Sequence, residues 1–339
     1  MSDVLEQILR LGQKCLEHVP VVVLGSGASA QYGVGGMATL QEHLLANVTI
    51  SDPAELAEWT TFVAELKRTN DLELALHNIK LSTSLELRVV QATRNMVLKD
   101  DLAILQRLAE GKVEFALSKL LKHLLNSTVP RVQIVTTNYD RLAEYACDAA
   151  CIPFGTGFTG GYFRSHQVGT PVNGGASMVE ILKVHGSVDW FMDAQQSVIG
   201  VPDSVTVPPT FVPLLVTPGT GKYLVTHEEP FRTIIARSDA AFISARSALC
   251  VGYGFNDRHI QPKLKNRVLK EQVPVVILAR TLTPKAKEFI GQCKHKSYLA
   301  LEKNSTGSRA YYPEHPEGVD LAEPIWEFGA FFAAVTGKP

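Results

Sequence analysis

The sequence predicts an α/β protein built on a doubly wound parallel sheet. Three observations carry that expectation. Short β-branched runs such as Val21-Val22-Val23-Leu24 are apolar throughout rather than alternating, as strands covered on both faces are. Each run stops at glycine or a small polar cluster, and a stretch of helical periodicity follows most of them. At 339 residues, 45% hydrophobic and 20% charged, the chain can bury one large core or a main domain carrying a substantial insertion.

The elements follow in order. Residues 3–17 place Val4, Ile8, Leu11 and Cys15 on one helix face. The run through Leu24 is the first strand, ended by Gly25, and Thr39 to Glu42 reads as a capping box opening the next helix. From about 52 to 126 the pattern is almost entirely helical, with Asp52 as N-cap and Pro53 at the first helical position. Strand signals resume at 132–137 and recur at 179–184, 212–216, 249–251 and 273–279, with helices through Leu142, Tyr145 and Ala149 and around 231–249. The expected organisation is an α/β domain of residues 1–50 and 127–300, an inserted helical module at 51–126, and a C-terminal loop and helix at 301–339. Segments 155–177, 192–211 and 303–323 are rich in Gly, Pro, Ser and Thr and read as long loops. Residues 323–335 read as a closing helix with an apolar face.

Composition excludes several function classes. A formal net charge of −1 gives no electrostatic push towards nucleic acid or anionic membrane, so direct nucleic-acid binding is not expected. The run Lys263, Lys265, Arg267 and Lys270 reads as a solvated helix face. No stretch of about 18 apolar residues could span a membrane, and the N-terminus is unlike a signal peptide. The five cysteines form no C-x-x-C pair, and Cys147 and Cys151, four apart on a helix, lack companions for a zinc set. Core thiols in a reducing, cytoplasmic setting are the expectation.

Four turns at the carboxyl ends of expected strands carry the chemistry, because ligands of open α/β sheets bind there. Gly25-Ser26-Gly27-Ala28-Ser29 lets backbone approach a phosphate closely, although it also serves as a plain strand-to-helix turn. It is neither G-x-G-x-x-G, since position 30 is Ala, nor a P-loop, since no G-K-[ST] follows. Thr136-Thr137-Asn138-Tyr139-Asp140 holds polar groups that could equally cap a helix. His185 follows an apolar strand, as a satisfied core histidine can, yet Gly186 after it permits a sharp turn that would expose the imidazole. Gly252-Tyr253-Gly254-Phe255-Asn256-Asp257 is the fourth turn.

Together these motifs resemble the SIR2 (sirtuin) superfamily. The match is to G-[AS]-G-x-S at Gly25–Ser29, to T-x-N-[IY]-D at Thr136–Asp140, and to the H-G pair His185-Gly186, in order, over about residues 19–280. The resemblance implies a Rossmann-like sheet and NAD⁺ as substrate. It implies that Gly25, Ser26, Gly27 and Ala28 cradle the diphosphate, with Ser29 near a phosphate or ribose and Thr137 also contacting the dinucleotide. Asn138 would orient a water under C1′ of the nicotinamide ribose, Asp140 would help hold the carboxamide, and His185 would be the general base. Gly252, Tyr253 and Gly254 would line the adenosine half, with Asp257 a further candidate there. Histidine suits the base role, its ordinary pKa being about 6.5.

The departures narrow the activity. The paired C-x-x-C zinc ribbon of family deacylases is missing, so no zinc is expected, and Gly33-Val34-Gly35-Gly36-Met37 replaces their aspartate–phenylalanine–arginine stretch. The helical block and the V-G-Y-G-F-x-D segment look more like bacterial SIR2-like effectors of anti-phage defence. The implied activity is hydrolysis of NAD⁺ to nicotinamide and ADP-ribose. The alternatives are a protein deacylase or ADP-ribosyltransferase, and a sensor that binds NAD⁺ or ADP-ribose without turnover. Resemblance to the defence members further implies a homo-oligomer, an inhibited resting state, and a partner such as a HerA-type ATPase or a nucleotide-sensing subunit. Residues 3–17 and 323–335 could form subunit contacts or pack on the core.

Overall fold

A computed structural model describes residues 3–126, 131–168, 178–202, 205–217, 227–257, 260–293 and 297–337. The strands are β1 (Val21–Leu24), β2 (Arg131–Thr136), β3 (Phe154–Gly155), β4 (Arg164–Ser165), β5 (Met178–Lys183), β6 (Gly186–Met192), β7 (Val198–Gly200), β8 (Val212–Leu215), β9 (Ala248–Val251), β10 (Val275–Ala279), β11 (Tyr298–Lys303), β12 (Ser308–Tyr312) and β13 (His315–Leu321). The helices are α1 (Asp3–Glu17), α2 (Ser26–Ala30), α3 (Met37–Asn47), α4 (Pro53–Thr69), α5 (Leu72–Asn78), α6 (Thr83–Ala109), α7 (Ala116–Leu125) and α8 (Leu142–Ala150). After β8 come α9 (Phe231–Ser244), α10 (Gln261–Leu269), α11 (Pro284–Gln292) and α12 (Phe328–Thr336).

A nine-stranded sheet runs β13-β12-β11-β10-β9-β1-β2-β5-β3, parallel from β11 to β3. The chain leaves β1 first towards β2 and β5, then returns to lay β9, β10 and β11 on the other flank. The order therefore reverses between β1 and β9, at the position where such sheets open a crevice. The unbroken apolar runs have the cause inferred from sequence. Val22 and Leu24 enter the core on one face, Val21 and Val23 the core on the other, and all four are buried. Helices α3 to α8 fill the first core, and α9 to α11 fill the second.

Between β1 and β2 the described chain is helical apart from short connections. Asp52 caps α4 as expected, its Oδ1 accepting from the Ala54 and Glu55 amides at 2.8 and 3.0 Å. The capping box at Thr39 does not form. Helix α3 already begins at Met37 with Gly36 as its N-cap, because the Gly35 amide is held by Asp100 Oδ2 of α6 at 2.9 Å. A tertiary anchor thus sets the helix start ahead of the local signal. The two chain ends pack on the core and on each other: Gly12 of α1 touches α12 so closely that a Cβ there would lie 2.6 Å from Val335 Cγ2. The closing helix starts only at Phe328.

Five other expectations change. Val212–Leu215 does not join the main sheet; it pairs antiparallel with β6 in a second sheet, β4-β7-β6-β8. The short strands of that sheet occupy parts of the expected loops at 155–177 and 192–211, of which residues 169–177 and 203–204 lie outside the described residues. Residues 303–323, read as a loop, contain the antiparallel strands β12 and β13 at the sheet edge, where polar residues and glycine are tolerated. Cys151 is exposed and sits left-handed at the end of α8, while the other cysteines are buried. Arg267 in the basic run donates to the Ala245 carbonyl and pairs with Glu271. Among the described residues, no helix is long and apolar enough to cross a membrane.

Glu302 ties the edge strands to the sheet. It accepts from the Leu282 amide at 2.9 Å, from Lys287 at 2.9 Å and from the Tyr311 hydroxyl at 2.6 Å. Burial opposes its charge, but these donors prevail and hold the carboxyl below its ordinary value. A depressed carboxylate stabilises the fold above its unfolded pKa and loses that contribution as pH falls through the folded one. Glu302→Gln is expected to cost about 1 kcal/mol at neutral pH, allowing for solvent screening. In denaturant titrations the gap to the parent protein should close as pH drops below the ordinary value of 4.5.

Candidate functional site

The carboxyl ends of β1, β2, β5, β9 and β10 open onto one cavity of about 390 Å³, within the range of about 300–1,000 Å³ usual for small-molecule sites. It is built around a backbone contact. Gly25 donates to the Val251 carbonyl at 3.0 Å, and Gly27 to the Gly252 carbonyl at 3.1 Å. A Cβ on Gly25 would fall 2.4 Å from Gly252 O, and one on Gly252, whose φ is +59°, 2.2 Å from Ala28 N. The glycines are needed first for this seating of one turn on another. The amides of Gly25, Gly27 and Ala28 all donate within the protein.

Asn138 hangs on that contact. Its Nδ2 donates to the Gly25 carbonyl at 3.0 Å and to Ser29 Oγ at 2.9 Å. A carbonyl can only accept, so the Gly25 bond decides which side of the amide is nitrogen. With both Nδ2 hydrogens engaged, Oδ1 is the atom left to accept from a ligand. Ser29 in turn donates to Asp140, whose carboxyl also accepts from the Leu142 amide at 3.2 Å. Ser29 is 2% exposed and serves to hold these two side chains. Burial pushes the Asp140 carboxyl above its usual range, although Lys183 and Ser29 oppose the shift. Thr137 lines the wall between them, its amide donating to the Leu24 carbonyl at 3.2 Å.

Charges buried below the turns brace them. Lys183, with no exposed surface, donates to the Asp140 carbonyl and pairs with Glu144 at 3.0 Å. Asp189 pairs with Arg164, and despite burial Arg164, Arg141 and Lys183 hold its carboxyl below the usual range.

His185 closes the other end of the row. Gly186 after it has φ +88° and lies so close to β8 that a Cβ would meet Leu214 O at 2.0 Å. The sharp turn is present, but it delivers the imidazole to the cavity rather than to open solvent: the residue is 7% exposed. The Tyr139 ring lies 6.5 Å from it, fixed by a bond from its hydroxyl to the Val216 carbonyl. Burial, then Asp257 and Glu73, push the Tyr139 phenol up, so it stays neutral.

Asp257 lines the same cavity, beside His185. Its Oδ2 lies 2.6 Å from His185 Nε2, a close contact off the line of an aligned hydrogen bond. The loop reaching it is over-determined. Phe255 takes a left-handed φ of +57° and is held there by stacking on Phe289. Tyr253 and Gly254 line the cavity, though Tyr253 is buried beside Phe255 and its hydroxyl has no partner among the described residues.

Sequence reasoning missed two parts of the wall. Arg280 and Thr281 follow β10, and the strand-end logic applied to Val273–Ala279 would have found them. Glu73, Met96 and Val97 come from the helices between β1 and β2, and no local signal marks them. Among the described residues no group of three or more His, Cys, Asp or Glu could hold a metal ion.

An asparagine and a histidine held over a cavity at strand ends, with glycine turns beside them, set the terms for comparison. Residues 132–287 match the model of the SIR2-like domain. This SIR2-like stretch contains Asn138, Asp140, His185 and Asp257, and Gly25–Ser29 precedes it. No curated protein matches the chain. Similar solved structures include one described for the mechanism and regulation of Sir2 enzymes, with 14% identity and a TM-score of 0.44, covering 86% of this chain and 96% of that one. A Sir2 homologue in complex with NAD has 12% identity and a TM-score of 0.43, covering 86% and 87%.

The seating of the two turns is testable. Gly252→Ala forces a side chain against backbone atoms and is expected to lower the melting temperature by about 5 °C or more. Gly291→Ala, whose Cβ would meet nothing within 4 Å, should leave it unchanged or raise it slightly. Calorimetry of the pair checks the prediction.

Proposed function

We propose that this protein is an NAD⁺ hydrolase that cleaves the nicotinamide–ribose bond to give nicotinamide and ADP-ribose. The match to the SIR2-like domain points to NAD as the ligand class. The observation that carries the hydrolytic reading is the amide of Asn138: both its hydrogens are committed, and its free Oδ1 shares the cavity with His185.

In this reading Asn138 Oδ1 accepts one hydrogen of a water and holds its oxygen below C1′. His185 takes the other proton as the C1′–O bond forms and the C1′–N bond breaks. Asp257, at 2.6 Å, supports the imidazolium that results. Nicotinamide departs neutral from a cationic ring, so no general acid is needed, and the sugar passes through an oxocarbenium-like state. The balance is one NAD⁺ and one water giving nicotinamide, ADP-ribose and a proton. Resemblance to bacterial defence effectors extends the proposal to depletion of NAD⁺ during phage infection, by an oligomer held inactive until triggered, alone or with a partner subunit.

His185→Ala and Asn138→Ala are each expected to lower NAD⁺ turnover by about 10²-fold or more. Both should keep the melting temperature within a few degrees. Chromatography of the products decides the reaction. Free ADP-ribose supports hydrolysis, whereas an acylated ADP-ribose or a modified protein would replace it with group transfer. Near-normal turnover in either variant would overturn the assignment.

A further inference from the structure

The helices between β1 and β2 contribute a wall that is apolar at Met37, Leu40, Met96 and Val97 and carries one ionisable lining residue, Glu73. Glu73 lies in the first turn of α5, which Asp71 caps by accepting from the Leu74 amide at 3.0 Å. It is half-buried and makes no hydrogen bond or ion pair with any described residue. The other carboxylates of the cavity are engaged, Asp140 by Ser29 and the Leu142 amide, Asp257 by His185.

The position of Glu73 along the cavity follows from its neighbours. Glu73 lines the cavity together with Tyr139 and His185, whose rings lie 6.5 Å apart. Tyr139 and His185 follow β2 and β5, so they mark the end where those strands finish. Arg280 follows β10, four strand spacings from β5 in the sheet order, or about 19 Å. The cavity thus carries a guanidinium at Arg280 and, at Glu73, a carboxylate that pairs with no described residue. An oxidised nicotinamide dinucleotide has the complementary polarity, with anionic phosphates towards its middle and a cationic pyridinium at one end. Reduction removes that cation and leaves the rest of the charge unchanged.

We infer that Glu73 is the anionic partner of the substrate's cationic ring and makes the cavity select the oxidised over the reduced dinucleotide. The inference rests on the NAD reading of the site. A carboxylate without a partner, set in a largely apolar wall, is screened less than one in open water and favours a cation brought close to it. A first-turn acid also stabilises a helix through its dipole, by about 0.3–1 kcal/mol. That role would change stability without distinguishing the two redox forms.

The test is the affinity of NAD⁺ and of NADH for the His185→Ala protein, which avoids turnover, with and without Glu73→Gln. The glutamine keeps size and hydrogen bonding and removes only the charge. Calorimetric titration should show NAD⁺ binding weakened about tenfold and NADH binding changed less than twofold. Glu73→Asp should retain most of the preference. An unchanged affinity ratio, with either no loss or an equal loss for both forms, would overturn the role of Glu73 and leave the NAD reading intact. A His185→Ala parent that binds neither dinucleotide would instead remove the NAD reading, and this inference with it.

Discussion

The site depends on one contact between two backbones. The turn after β1 lies on the turn after β9 with no room for a side chain at Gly25, Gly27 or Gly252. Asn138 is oriented by the Gly25 carbonyl, and the loop that brings Asp257 to His185 starts at Gly252. A shift of either turn would move both ends of the polar constellation at once. The contact falls where the strand order reverses, so the topology that opens the crevice also supplies the two turns that brace it.

Much of this was legible in the sequence because it is local. An apolar strand followed by glycine or by Thr-Asn places a turn at a strand's carboxyl end, and the parallel order then gathers those turns. What escaped depends on pairing partners that a local pattern does not name. Val212–Leu215 has the composition of a main-sheet strand, yet it pairs with β6 because Gly186 reverses the chain immediately after β5. Residues 308–321 look like loop because edge strands need bury only one row of side chains, here Ser308, Ala310 and Tyr312. The engagement of Asp257 with His185 could not be read either, since a left-handed Phe255 redirects the loop. Glu73 was hidden for the same reason: its helix meets the cavity only through tertiary packing.

The charges under the site are an expensive way to hold a turn. Lys183 and Glu144 are both buried, and removing two ions from water costs several kcal/mol per ion unless each is paired and hydrogen-bonded. An apolar pair of the same volume would serve stability as well or better. What the lysine adds is a directed donor to the Asp140 carbonyl, which fixes the turn carrying Asn138 and Asp140. Asp101 acts similarly from α6, accepting from the Arg141 amide at 2.7 Å and from its guanidinium, and so ties the helices between β1 and β2 to the turn. Geometry at the cavity is thereby linked to the position of those helices.

That link bears on the proposed reaction. Cleavage at a cationic glycosidic nitrogen asks little proton chemistry of the protein, because the leaving group departs neutral and the water becomes acidic only as the oxocarbenium develops. The demands are positional: a water held under one carbon, a base beside it, and a ring kept in a defined place. In the proposed reaction Asn138 and His185 would meet the first two, from strand ends that the sheet makes rigid. The third falls to the wall carrying Glu73, Met96 and Val97, which belongs to the helices rather than the sheet. Those helices reach the turn carrying Asn138 through Asp101 and the Gly35 loop through Asp100. A movement of α6 would therefore disturb the ring's seat and the water's acceptor of the proposed reaction together.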